Sequence, residues 1–107
     1  MNLKTLSIII PVYNEENTIA EILRRITEVN LGSIQKQIIV VDDGSTDKTP
    51  GILKKIGSGY LILRHSKNQG KGAAIKTALP HLRGEYTIIQ DADLEYDPAD
   101  WPKLIAV

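Results

Sequence analysis

Gln37-Ile38-Ile39-Val40-Val41-Asp42-Asp43-Gly44-Ser45 sets four β-branched apolar residues in a row ahead of two acids, a glycine and a serine. A short apolar run without polar alternation is the pattern of a strand buried on both faces. The acids then mark its carboxyl end. The same layout recurs at Tyr86-Thr87-Ile88-Ile89-Gln90-Asp91-Ala92-Asp93. Ser7-Ile8-Ile9-Ile10-Pro11-Val12 is a further buried strand, whose pairing Pro11 ends because it has no N–H to give. Tyr60-Leu61-Ile62-Leu63-Arg64 completes a set of four.

Helical periodicity fills the gaps between these strands. Ile19, Ile22, Leu23, Ile26 and Val29 recur on one face while Glu21, Arg24, Arg25 and Glu28 occupy the other, which predicts an amphipathic helix over about 16–31. A shorter helix is expected to start from Ser45 or Thr46 as N-cap and to carry Ile52, Leu53 and Ile56 inward. A third bears Ile75, Ala78, Leu79 and Leu82, and Asp97-Pro98-Ala99-Asp100 announces a fourth. Strand and helix alternating in this way predict an α/β domain: an open, mainly parallel sheet with helices on both faces. Ligands of such sheets sit beyond the carboxyl ends of the strands. The unusual residues, at positions 11–15, 42–45, 67–72 and 91–95, all fall there.

Bulk properties narrow the function. The 107 residues make one domain. Lys plus Arg equals Asp plus Glu at 13 each, so no net field favours nucleic acid or an anionic membrane. With no Cys, disulfides and thiolate chemistry are excluded, which fits a reducing, cytoplasmic setting. The apolar runs are too short to span a bilayer, and no signal peptide is visible. Trp101 to Val107 stops in apolar residues without a capping glycine or polar tail, so the chain is expected to be the N-terminal piece of a longer protein.

Four constellations carry chemistry. Asp91 and Asp93 stand at i and i+2 past a strand, where two carboxylates can reach one hard cation or simply end the strand in water. Tyr13 offers a flat face and Glu15 an acceptor, as a base and ribose pocket would need, although Asn14 or Asn17 capping a helix explains the segment as well. Asp42-Asp43-Gly44-Ser45 serves as a tight turn with a helix cap, yet neither turning nor capping needs two adjacent acids. Gly70-Lys71-Gly72 can bring backbone N–H groups and an ammonium to phosphate, or simply form a helix entry; it matches neither the Walker nor the dinucleotide fingerprint. His65 and His81 are too scattered for zinc. His81 reads as helix surface, and His65 stays open.

Taken together, Pro11-Val12-Tyr13-Asn14-Glu15, Val40-Val41-Asp42-Asp43-Gly44-Ser45-Thr46-Asp47, Asn68-Gln69-Gly70-Lys71-Gly72 and Gln90-Asp91-Ala92-Asp93-Leu94-Glu95-Tyr96-Asp97-Pro98 resemble family 2 glycosyltransferases of the GT-A fold. The branch most similar is the dolichol-phosphate mannosyltransferase-like and polyprenyl-phosphate glycosyltransferase group. The resemblance implies a Rossmann-like, nucleotide-sugar-binding half. It places Pro11, Tyr13, Glu15, Val41, Asp42, Asp43 and Lys71 around the nucleotide sugar. Asp91, Ala92 and Asp93 match the family's Asp-x-Asp: Asp91 and Ala92 contact the donor, and Asp93 ligates Mg²⁺ or Mn²⁺. Asp91 and Glu95 are further metal-ligand candidates, Glu95 standing where mannosyltransferase relatives often carry Gln.

What the resemblance implies is inverting, metal-dependent transfer of a hexose from a GDP- or UDP-sugar, with Asp91 and Asp93 in the catalytic roles and a polyprenyl or dolichyl phosphate as acceptor. It also implies a full-length protein associated with the cytoplasmic face of a membrane. The 107 residues would hold the donor site, leave the acceptor site outside, and have weak activity or none alone. Two other classes stay open: a non-catalytic nucleotide-binding domain, and a receiver-like signalling domain, which expects an acid where the third strand instead ends in Arg64-His65.

Overall fold

Leu6, Ser7, Ile8, Ile9 and Ile10 are all buried, so the strand they form, β1 (Thr5–Val12), lies inside the sheet with both faces covered. The computed structural model describes residues 4–56, 59–94 and 98–100. Along the chain follow α1 (Ile19–Glu28), β2 (Gln35–Asp42), α2 (Thr49–Lys55), β3 (Tyr60–Arg64), α3 (Lys71–Ala78) and β4 (Tyr86–Ile89), with 3₁₀ turns at Leu79–His81 and Pro98–Asp100. The four strands lie in the order β3-β2-β1-β4, every pair parallel.

Register places the strand ends level. Val12 stands opposite Asp42, and Asp42 opposite Arg64. Leu6, Ile8, Ile10, Ile38 and Val40 meet Ile19, Ile22, Leu23 and Ile26 of α1 and Leu53 of α2 on one face. Ile9, Ile39 and Val41 meet Ala74 and Ala78 of α3 on the other. Each fully buried Ile or Leu in these layers contributes about 1.5–3 kcal/mol relative to exposure. The predicted α/β architecture with helices on both faces is the one found.

Four helix boundaries differ from expectation. α1 begins at Ile19, not near 16, because the Glu15 carbonyl accepts from both Thr18 and Ile19 N–H in a preceding turn. It stops at Glu28, where the Lys36 ammonium takes up the Thr27 and Val29 carbonyls. α2 starts at Thr49, not at a Ser45 or Thr46 cap, since Ser45 and Thr46 are committed to Asn14. α3 ends at Ala78 because Pro80 cannot continue it, and Leu79 turns outward, half exposed. Of the fourth helix only the turn Pro98–Asp100 lies within the described residues; Asp97 and Trp101 lie outside them.

Candidate functional site

The carboxyl ends of β1 and β2 are stitched to each other by side chains. Asn14 sits at φ +51°, a conformation Asn tolerates better than most residues. Its N–H donates to Ser45 Oγ (2.9 Å), and its Oδ1 accepts from Thr46 N–H (2.8 Å) and Asp47 N–H (3.3 Å). Asp47 returns the link, accepting from Glu16 N–H (3.3 Å) and Thr49 N–H (2.8 Å), while Thr49 Oγ1 accepts from Glu15 N–H (3.1 Å). Burial alone would raise the Asp47 pKa, but these donors, led by Thr49, outweigh it and hold the carboxyl below its ordinary value.

The adjacent acids Asp42 and Asp43 part company. Asp42 is buried on the α2 side: Oδ1 accepts from Ser45 N–H (2.9 Å), whereas Oδ2 has no hydrogen-bond partner among the described residues and lies 3.7 Å from Arg64 Nε. Asp43 turns toward α3. Its Oδ1 accepts from His65 Nδ1 (2.7 Å) and Gln69 N–H (2.9 Å), its Oδ2 from Gly70 N–H (2.8 Å) and Asn68 Nδ2 (3.1 Å). Desolvation pushes the Asp43 pKa up, but the bonds from His65, Gln69 and Gly70 prevail and lower it. Four donors fill the acceptor sites of one carboxylate. Gly44, at φ +75°, permits this turn, for a Cβ there would stand 2.4 Å from the Lys67 backbone.

Pro11, Val12, Tyr13, Asp43, Asn68, Gly70 and Lys71 enclose a pocket of about 170 Å³ over the ends of β1 and β2. Ligand clefts usually exceed about 300 Å³, so this one fits one end of a ligand whose remainder lies along the open rim. Tyr13 is 44% exposed, its ring available to a ligand. From the same pocket wall Lys71 Nζ reaches Asp91 Oδ1 at 2.6 Å, which ties the pocket to the end of β4. The acids after β2 and β4 therefore share one rim.

Beyond β4 the chain turns sharply. Ala92 is buried against the α1 face, and its carbonyl accepts from Thr18 Oγ1 at 2.6 Å. Thr18 Oγ1 also lies 3.0 Å from Glu15 Oε2, so Glu15 stands beside this turn without lining the pocket. Leu94 holds φ +65° while its side chain packs on the α1-side core. A left-handed Leu costs about 1–2 kcal/mol, strain that the anchored side chain sustains. Asp93, between them, is exposed. Glu95 lies outside the described residues.

The structure thus gathers Pro11, Tyr13, Asp43, Lys71 and Asp91 on one rim, with Asp93 just beyond. It sends Asp42 to the α2 side and buries Val41 wholly in the α3-side core. In the Gly70-Lys71-Gly72 loop, read above as able to approach phosphate, the Gly70 N–H is spent on Asp43, as is that of the preceding Gln69. Sequence reasoning left His65 open; its strand-end position, opposite an acid-bearing strand end, was the available signal. Among the described residues no three His, Cys, Asp or Glu side chains gather as a metal cluster.

Residues 7–107 match the family model described as glycosyl transferase family 2. The chain belongs to that family. This family 2 chain is 36% identical over 104 residues to the undecaprenyl-phosphate 4-deoxy-4-formamido-L-arabinose transferase of Edwardsiella ictaluri, covering 92% of the chain and 32% of the relative. It superposes on S. aureus TarS with a TM-score of 0.79 at 30% identity, covering 95% of this chain and 31% of that one. With the mannosyltransferase PcManGT of Pyrobaculum calidifontis, solved with GDP-Man and Mn²⁺, the TM-score is 0.75 at 31% identity, covering 86% and 28%. The architecture is accordingly the Rossmann-like GT-A fold. The chain spans about a third of the length of the curated relatives it matches. Family membership displaces the receiver-like alternative. No helix among the described residues is long and apolar enough to cross a membrane.

Proposed function

We propose that the protein transfers a sugar, read above as a hexose, from a nucleotide diphosphate donor to a polyprenyl phosphate, with inversion and with divalent metal. The observation that carries this is the Lys71–Asp91 contact, which joins the Tyr13–Asp43 pocket to the Asp-x-Asp turn. Names among the relatives and structural neighbours support it: an undecaprenyl-phosphate transferase, a GDP-Man and Mn²⁺ complex, and TarS with UDP-GlcNAc.

In this reading Tyr13 stacks on the base and Pro11 and Asp43 line the nucleoside end of the pocket. Val41 supports that wall from the core, and Asp42 from the α2 side. The Lys71 ammonium faces the diphosphate, and Glu15 buttresses the Asp-x-Asp turn through Thr18. The donor set at the end of β4 is all hard oxygen, which fits Mg²⁺ or Mn²⁺ held by Asp93 and Asp91, with Glu95 as a further ligand. When bound, such an ion supplies Lewis-acid neutralisation of the departing diphosphate. The chain's own part is positioning and fixed charge. A phosphate acceptor is already ionised near neutral pH, its second pKa being about 6, so no strong base is required of these residues. A lipid-phosphate acceptor places the whole protein at the cytoplasmic face of a membrane.

Thermal melting tests the donor reading. Mn²⁺ with UDP or GDP raises the melting temperature, and Asp93→Ala removes the metal-dependent part. Stabilisation by nucleotide that ignores metal would count against it.

A further inference from the structure

His65 is buried, and the function proposed above leaves it without a role. Its Nδ1 lies 2.7 Å from Asp43 Oδ1 and its Nε2 lies 2.7 Å from Thr77 Oγ1. Thr77 Oγ1 is in turn 3.0 Å from the Ala73 carbonyl, one turn back along α3. Counting protons over these contacts fixes what the ring does. The Asp43 carboxylate already takes N–H donors from Gln69 and Gly70 and can only accept. A bare Nδ1 facing it would set two lone pairs against each other, so Nδ1 carries a proton and donates it.

The Thr77 hydroxyl has a single proton. Turned to the Ala73 carbonyl, it leaves its oxygen to accept from a protonated Nε2. Turned to the ring, it donates to an unprotonated Nε2. Both arrangements satisfy His65 completely, and both keep Nδ1–H on Asp43. The hydroxyl is a rotor that pairs with Nε2 whether or not that nitrogen carries a proton. This fixes one contact across three elements, since His65 follows β3, Asp43 follows β2 and Thr77 belongs to α3.

Asp43 passes the constraint on to the turn at Asn68, Gln69 and Gly70, all three of which donate to it. That turn delivers Lys71 to the pocket wall and to Asp91. We propose that His65 is a positioning residue for the donor site: it orients the Asp43 carboxylate, and through it the turn that places Lys71. The proposal rests on the donor-site reading above for its functional consequence, but not for its geometry. With Nδ1–H directed at a carboxylate and Nε2 closed by Thr77, the imidazole has no ring nitrogen left to act as a base toward a ligand.

Two readouts test it on the full chain. Amide hydrogen exchange at Gln69 and Gly70 reports whether Asp43 still holds the turn, and titration with UDP and with GDP in the presence of Mn²⁺ reports the consequence. Losing a hydrogen bond to a charged group predicts that His65→Leu speeds exchange at those two amides about tenfold and weakens the better nucleotide's Kd about tenfold, with β1 amides unchanged. His65→Asn, whose amide Nδ2 stands in for Nδ1, restores both to within about threefold of wild type. Unchanged exchange at Gln69 and Gly70 in His65→Leu overturns the proposal, as does equal acceleration in β1 with no rescue by Asn. Should His65→Leu fail to fold, Thr77→Val keeps the ring but removes its Nε2 partner, and about threefold faster exchange at the same amides is expected; no change there overturns it too. A wild-type chain that binds neither UDP nor GDP defeats the donor reading, while the exchange pattern still decides what His65 does.

Discussion

Both ends of the sheet bury polar side chains, and they use them differently. At the amino end Ser7 Oγ donates to Gln37 Oε1 (2.6 Å), Gln37 Nε2 donates to the His81 carbonyl (2.6 Å), and Arg83 and Gly84 N–H close on Gln37 Oε1 and Ser7 Oγ (2.8 and 2.9 Å). Every contact in this buried network is neutral, and it pins the α3–β4 connection against β1 and β2. A Cβ on Gly84 would stand 2.6 Å from the Thr5 carbonyl oxygen, so the chain is packed tight at that point, beside a cleft of about 530 Å³ lined by Lys36, Gln37, Tyr60, His81 and Arg83. At the carboxyl end the groups are Asp42, Asp43, Asp47, His65, Lys71 and Asp91, and a pocket opens beside Asp43 and Lys71. An open cleft occurs at both ends, so the contrast lies in charge: buried neutral groups mark structure, and acids beyond what turns require mark the candidate site.

Mutations can break that contrast, starting with the largest effect. In the full-length protein Asp93→Ala should cut sugar transfer by about 10²–10³-fold, as removal of one preorganised charge-stabilising group does, while thermal melting in the absence of metal hardly moves. Gln37→Leu should do the reverse. Leaving Arg83 N–H and the His81 carbonyl without their side-chain partner costs about 2 kcal/mol in urea unfolding, with the UDP or GDP Kd unchanged. A Kd that rises as stability falls would erase the distinction between the two ends.

Acid sharpens the comparison next. Asp43 and Asp47 both titrate below the ordinary carboxylate value of about 3.9 in the folded chain. The stability they add is complete above that value and drains away as pH falls through their lower folded values. Melting temperature should drop below about pH 4, and Asp43→Asn should flatten the acid limb, whereas Gln37→Leu should leave its shape alone. The smallest effect is expected at the exposed Arg24, paired with Glu21 and Glu28 on α1: Arg24→Ala should leave the melting temperature nearly unmoved and nucleotide binding intact.

The sheet was legible because β-branched runs such as residues 38–41 leave few alternatives, and α1 because its apolar residues fall at helical spacing. The acids at the carboxyl ends of the strands were legible because Asp42, Asp43, Asp91 and Asp93 exceed what turns need. Other features were hidden by distance along the chain. Local rules assign Asn14 and Ser45 to the nearest helix, yet Asn14 serves Thr46, 32 positions away, once the register sets Val12 opposite Asp42. His65 finds Asp43 and Thr77 only after β3 aligns beside β2 and α3 packs back. The left-handed Leu94 carries no sequence signal, since nothing in a leucine announces φ +65°.

Isothermal titration of Mn²⁺ with UDP and with GDP into wild type and Asp93→Ala tests the central claim most directly. The account predicts that one nucleotide binds wild type at least about tenfold more tightly with Mn²⁺ than without, and that Asp93→Ala erases this difference while keeping the metal-free affinity. Binding of equal strength with and without Mn²⁺, or a metal effect that survives in Asp93→Ala, would contradict it.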